Sequence, residues 1–136
     1  MTRISSLFAL VSLTALLFGQ QDWQGEVKKL YPLDLPAFQG TRPVFGQAKK
    51  TATMPDIELY SLSLPLANLK TSAEYYRASL EKQGFKPVKT MSTATLERIE
   101  MLNAARKLSA VVVANKQNAK TMLLGVTVMP AGTLKN

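Results

Sequence analysis

The chain contains no cysteine and no histidine, and its 9 acidic residues face 17 lysines and arginines. Without cysteine there are no disulfides, thiolate metal sites or thiol nucleophiles. Without histidine there is no imidazole ligand and no imidazole acid–base chemistry. Most common catalytic designs are thereby removed. The acidic residues are scattered; Asp56/Glu58 and Glu97/Glu100 form close pairs, but neither has an EF-hand or dense acidic-loop pattern. Both pairs read as solvated carboxylates on strand faces. No glycine-rich loop follows a strand, so a phosphate cradle has no support. A serine nucleophile would have only lysine as its base. Ser79–Lys82 reads as a pair of ordinary surface residues, and no S-x-x-K stands with its companion motifs. No catalytic residue, metal or cofactor is assigned, and the chain is expected to be non-enzymatic.

What is present is a chain of 136 residues, 46% of them hydrophobic, with a net charge of +8. That is the size of one domain with a packed core of its own. Residues 1–19 follow the plan of a secretory signal peptide. Arg3 supplies the positive start, Leu7–Phe18 the short apolar run, and Gly19 a small residue for cleavage. The run is shorter than the roughly 20 residues of a membrane span. An uncleaved anchor is the alternative. No cysteine follows, which excludes an acylated lipoprotein. The expected address is export to the periplasm, the cell envelope or the medium, with no stable transmembrane anchor.

Residues 20–53 are punctuated by Gly25, Pro32, Pro36, Gly40, Pro43 and Gly46, yet carry Trp23, Tyr31, Phe38 and Phe45. This composition predicts an irregular arm packed on the domain, with Val27–Leu30 a short candidate strand. Residues 54–136 form a single α+β domain. In Asp56–Leu64, Ile57 and Leu59 share one parity and Tyr60, Leu62 and Leu64 the other, which predicts a strand with a bulge near Leu59–Tyr60.

Thr71–Gln83 is the clearest helix, with Leu69, Ala73, Tyr76 and Leu80 on one face. Thr71 and Glu74 fit a capping box. Gly84 and Phe85 fit a Schellman ending. Thr95–Lys107 combines good helix formers with the alternation of Ile99 and Met101; strand is favoured, with helix as the alternative. Leu108–Ala114 and Met122–Met129 are β-rich and apolar on both parities. The fold class is therefore α+β: an antiparallel meander with one main helix on one face, in the order strand, helix, strands. One short helix covers one face only. The second face then needs the arm, a second helix or another chain; the arm is favoured, through Tyr31, Phe38 and Phe45, and a dimer is second choice.

Leu35-Pro36-Ala37-Phe38-Gln39-Gly40 precedes a strand, and Tyr75-Tyr76 leads to Leu80, Gly84 and Phe85. This resembles small exported bacterial domains of unknown function that share a P-x-aromatic-x-G loop and a Y-Y-x-x-x-L-x-x-x-G-aromatic helix end. The resemblance implies a helix on an antiparallel meander and supports strand at Thr95–Leu102. It carries no catalytic residue.

The excess positive charge marks Lys82, Lys86, Lys89, Arg106, Lys107, Lys116 and Lys120 as candidate anion-binding residues, should folding gather them on one face. The leading expectation is an exported binding module or envelope component, monomeric or weakly homodimeric, with a protein partner or a polyanion as ligand. Polyanion binding is the first alternative and a small hydrolase the second. Export predicts that the intact mass of the secreted protein lacks residues 1–19. Mature material retaining Met1–Phe18 would refute cleavage.

Overall fold

The computed structural model describes residues 29–134. The expected signal segment and Trp23 lie outside them. Seven elements follow in chain order: β1 (Val44–Ala48), β2 (Ile57–Pro65), α1 (Leu69–Glu81), β3 (Lys86–Ser92), β4 (Leu96–Asn103), β5 (Leu108–Lys116) and β6 (Thr121–Pro130). The strands form one antiparallel sheet in the order β1-β2-β6-β5-β4-β3. The α+β class with one helix holds, and 95–107 is a strand and turn rather than a helix. Two strands, not one, precede the helix, because β1 lies inside the segment expected to be irregular. Lys29 and Leu30 are not in a strand.

β3 to β6 make a meander, and β2 pairs with β6 on its far side. The chain must cross from β2 to the opposite edge at β3, so α1 lies over the strands between. It touches β5, β4, β3 and β6. Its buried residues are Ser72, Ala73, Tyr76 and Leu80. The cap is Asn68, not Thr71: the Asn68 side chain accepts from the Thr71 backbone N–H at 2.8 Å. Glu74 does not close a capping box; it pairs with Arg77, which also reaches Glu81 at 2.6 Å. The helix stops as expected. Phe85 N–H donates to Leu80 C=O and Gly84 N–H to Glu81 C=O, both at 3.1 Å, with Gly84 at φ +97°. This is the paired bonding of a Schellman ending.

β2 runs without the expected bulge. Its parity switch has a different cause: both faces of the strand are buried. Tyr60, Leu62 and Leu64 join the core beneath α1, while Ile57 and Leu59 join a second cluster on the other face with Ala48, Val111, Val113, Leu123 and Met129. The bulge occurs instead in β3, between Pro87 and Lys89. β3 is exposed along its whole length, and its lysines and proline suit an edge strand.

The aromatic residues expected to carry the arm over the second face do not lie there. Tyr31, Leu33, Leu35, Phe38 and Phe45 pack on the helix side, extending that core over the β2 half of the sheet. The Phe38 loop is a tight hairpin: Phe38 and Thr41 exchange backbone bonds of 2.9 and 3.0 Å, with Gln39 at φ 51° and Gly40 at φ 78°. Two positive φ values define the type I′ turn, whose twist suits a two-residue loop. The loop docks on the helix. Tyr76 donates to Pro36 C=O at 2.6 Å, Tyr75 donates to Ala37 C=O at 2.8 Å, and the Phe38 ring lies 4.8 Å from that of Tyr75. On the second face, the described hydrophobics packed against the buried cluster are Met54, Leu96 and Leu134, and none belongs to a helix.

A Cβ at position 84 would meet the Asn103 side chain at 3.0 Å in addition to the positive φ. Gly84→Ala should therefore cost about 1 kcal/mol or more. The midpoint of chemical denaturation checks this; an unchanged midpoint would refute the assigned helix ending.

Candidate functional site

The seven candidate anion-binding residues are not gathered on one face. Lys82, Lys86, Arg106 and Lys107 sit where α1 ends and β4 turns into β5. Lys116 and Lys120 bracket the β5–β6 turn at the opposite end of the sheet. The nine residues of β5 separate the two groups by about 27 Å. Lys89 lies on the edge strand. Lys86 and Arg106 do line one cleft of about 580 Å³ with Pro87, Val88 and Leu102. Arg106, however, is also structural: its guanidinium donates to Pro32 C=O at 3.2 Å, and its backbone N–H to the Asn103 side chain at 3.0 Å. Asn103 donates in turn to Gln83 C=O at 3.0 Å. Gln83 and Asp34 complete the closure, the side-chain amide of Gln83 exchanging two bonds with the Asp34 backbone.

Two carboxylates expected to be solvated are buried, and the reason is strand parity. Glu58 shares a face with Tyr60, Leu62 and Leu64, and is 0% exposed. It accepts from Leu30 N–H at 2.5 Å, Tyr31 N–H at 2.9 Å and Gln47 Nε2 at 2.8 Å. Three donors compensate a charge out of water, so Glu58 is a clamp for the arm. Its neighbour Asp56 accepts from Lys50 N–H at 2.7 Å, at the surface.

Glu97 is different. It shares a face with Ile99 and Met101 and is 3% exposed. Its Oε1 accepts from the Ser92 hydroxyl at 2.5 Å across the β3–β4 pair, while its buried Oε2 has no hydrogen-bond partner. Glu97 lines a cleft of about 500 Å³ with Ser92, Thr93 and Ala94 of the β3–β4 hairpin, Lys116 of β5, and residues 66–70 at the start of α1. The elements around it are well held. Thr93 N–H bonds Leu96 C=O at 2.8 Å, Lys116 N–H bonds Thr95 C=O at 2.8 Å, and Leu66 N–H bonds Lys120 C=O at 2.7 Å. Asn68 caps Thr71, but the N–H groups of Leu69 and Lys70 have no acceptor within the helix. No cation among the described residues forms an ion pair with Glu97. The cleft thus holds a carboxylate short of a donor and Lys116 on the sheet side, and Lys70 with the helix N-terminus on the other.

The Tyr60 hydroxyl is the other buried side-chain atom without a hydrogen-bond partner among the described residues, whereas Ser72 is satisfied structurally. Ser72 donates to Asn68 C=O at 2.8 Å and reaches no base. A smaller cleft of about 210 Å³ lies beside Lys29, Arg42, Phe45 and Tyr60, with the Lys29 ammonium 5.1 Å from the Phe45 ring centre and 5.3 Å from that of Tyr60. Comparison with protein-family models, with curated proteins and with solved structures returned no match. No helix among the described residues is long and apolar enough to cross a membrane.

Three of the four tyrosines are shifted in one direction. Burial pushes the Tyr60 phenol up to about 12; Glu58 adds to this, while the Leu33 backbone and Arg106 pull the other way. Burial raises Tyr76 further, with Tyr75 adding to it, and raises Tyr31, with Asp56 and Glu58 adding to it. Below pH 10 these phenols are protonated in both folded and unfolded chains. Above it the unfolded chain releases protons that the folded chain keeps, so stability should fall as pH rises from about 10 towards 12. Absorbance titration of phenolate alongside circular dichroism checks this. Ionisation of Tyr31, Tyr60 and Tyr76 near pH 10 with the fold intact would contradict the burial.

Proposed function

We propose that this chain is an exported, non-catalytic binding domain whose ligand enters the Glu97 cleft. The observation that supports this is the buried Glu97 Oε2 with no partner at the wall of the cleft. Leaving a buried carboxylate oxygen without a donor is costly, so a fold that keeps one beside an accessible cavity is arranged to receive a donor from outside. Export rests on Arg3, Leu7–Phe18 and Gly19 alone.

A hydrolase is the competing reading, because Ser92, Glu97, Lys70 and Lys116 line the same cleft. It is the weaker one. The base in contact with Ser92 is a carboxylate, a poor acceptor for a serine proton, and no lysine hydrogen-bonds to Ser92. Polyanion binding has less support, since the basic residues divide between two ends of the sheet rather than forming a continuous track.

A thermal-shift screen of the purified protein against a small-molecule library tests the proposal. Ligands should raise the melting temperature of the wild type and lose that effect in Glu97→Gln. A library giving no Glu97-dependent shift would refute the cleft as the binding site. Ester hydrolysis abolished by Ser92→Ala would replace binding with catalysis, and salt-sensitive retention on heparin, lost when Lys82, Lys86 and Lys107 are replaced by glutamine, would replace it with polyanion recognition.

A further inference from the structure

Resting on that reading, we infer that the cleft takes a small zwitterion with an apolar side chain, an α-amino acid or a short peptide. The primary ammonium meets Glu97, and the carboxylate meets the N-terminus of α1 with Lys70 and Lys116. Three features of the cleft select this class. First, Glu97 has one oxygen supplied by Ser92 and one supplied by nothing; a primary ammonium brings three donors to a site that needs one. Second, the N–H groups of the first helical turn and Lys70 lie on the helix side of the cleft, and Lys116 stands on the sheet one strand from Glu97; together they favour an anion. Neither lysine forms an ion pair with Glu97. A simple anion would leave Glu97 unsatisfied and lie close to its charge. A simple amine would leave the helix N-terminus and both lysines facing no counter-charge. A molecule carrying both groups satisfies both at once. Third, Leu66, Ala67, Leu69 and Ala94 supply the apolar part of the lining. A volume of about 500 Å³ lies within the range of small-molecule sites and admits a free amino acid or a dipeptide.

Ser92, which bonds the other oxygen of Glu97, lies beside it in the lining. That residue lies on the exposed edge strand, where side-chain rotation is fast. The ligand's ammonium donates to Oε2, and the Ser92 hydroxyl keeps Oε1.

Four probes on one carbon skeleton separate the contributions. L-leucine carries both charges, N-acetyl-leucine only the carboxylate, 3-methylbutylamine only the ammonium, and Leu-Leu carries both at greater separation. Isothermal titration of the purified protein should show binding of leucine or Leu-Leu, and the tighter of the two distinguishes an amino-acid site from a peptide site. N-acetyl-leucine and 3-methylbutylamine should each bind about tenfold or more weakly, the loss expected for one charge-assisted hydrogen bond. Glu97→Gln should weaken the zwitterion by a similar factor. Should Glu97→Gln fail to fold, Lys116→Gln at an exposed position gives the parallel test from the carboxylate side. Equal binding of 3-methylbutylamine and leucine, or of N-acetyl-leucine and leucine, would overturn the zwitterion while leaving a cleft ligand in place. Absence of leucine and Leu-Leu binding also overturns it. The broader binding proposal falls separately, when the library yields no Glu97-dependent ligand at all.

Discussion

Thirteen residues of helix span about 20 Å. The sheet beneath is six strands, about 24 Å across, and its central strands are nearly 30 Å long. One helix therefore cannot close even the face it lies on. Because α1 must bridge from β2 to β3, it covers the β3–β6 half, and the β2 side is left to the arm. Glu58 makes that division hold. Its carboxylate is wholly buried and is satisfied by two backbone N–H groups of the arm and one side-chain amide of β1. Removing the part of the arm that precedes β1 would leave a buried charge with one of these three donors, so the arm and the strand that carries Glu58 are energetically one unit.

The same mismatch in length leaves an opening at each end of the helix, and the two ends are treated differently. At the C-terminal end the space is crossed by hydrogen bonds: Gln83 to Asp34, Asn103 to Gln83, Arg106 to Pro32. The helix ending itself consumes the free carbonyls. At the N-terminal end Asn68 satisfies Thr71, and the loop is held by Leu66 bonding Lys120. No comparable lacing crosses from the helix start to the β3–β4 hairpin. The polarity of the helix adds to this asymmetry, since its N-terminus favours negative charge and Lys70 and Lys116 lie beside it. Glu97 opposes that field from the far wall. The product is a cleft with the helix N-terminus on one side and an unfilled acceptor on the other.

What could be read in the sequence was what is decided locally. Gly84 followed by Phe85 marks the helix stop because left-handed backbone and the Leu80 contact are set within six residues. The turn at Asn103 and the strand at 96–103 follow the same logic. β3 escaped notice because an edge strand exposed on both faces has no hydrophobic alternation to detect. β1 escaped because Pro43 and Gly46 flank or interrupt it, and its pairing with β2 is a tertiary fact. Asn68 and Thr71 are equivalent as caps by residue type, and packing of the β2–α1 loop on Lys120 selects the first. The two buried carboxylates were within reach. Glu58 alternates with Tyr60, Leu62 and Leu64, and Glu97 with Ile99 and Met101, so strict parity places both acids on the core face. Composition argued for solvation, and parity was the stronger signal.

The residues of the loop motif and the helix-end motif have a physical meaning in the fold. Pro36, Phe38 and Gly40 build the hairpin loop, Tyr75 and Tyr76 receive it, and Gly84 with Phe85 ends the helix that presents them. The two motifs are the two sides of one contact, the one that fixes the arm to α1. Glu97, Ser92, Lys70 and Lys116 belong to neither motif. The scaffold and the candidate site are therefore separable: the motif residues hold the helix at a set place on the sheet, and the chemistry at its open end can change without disturbing them.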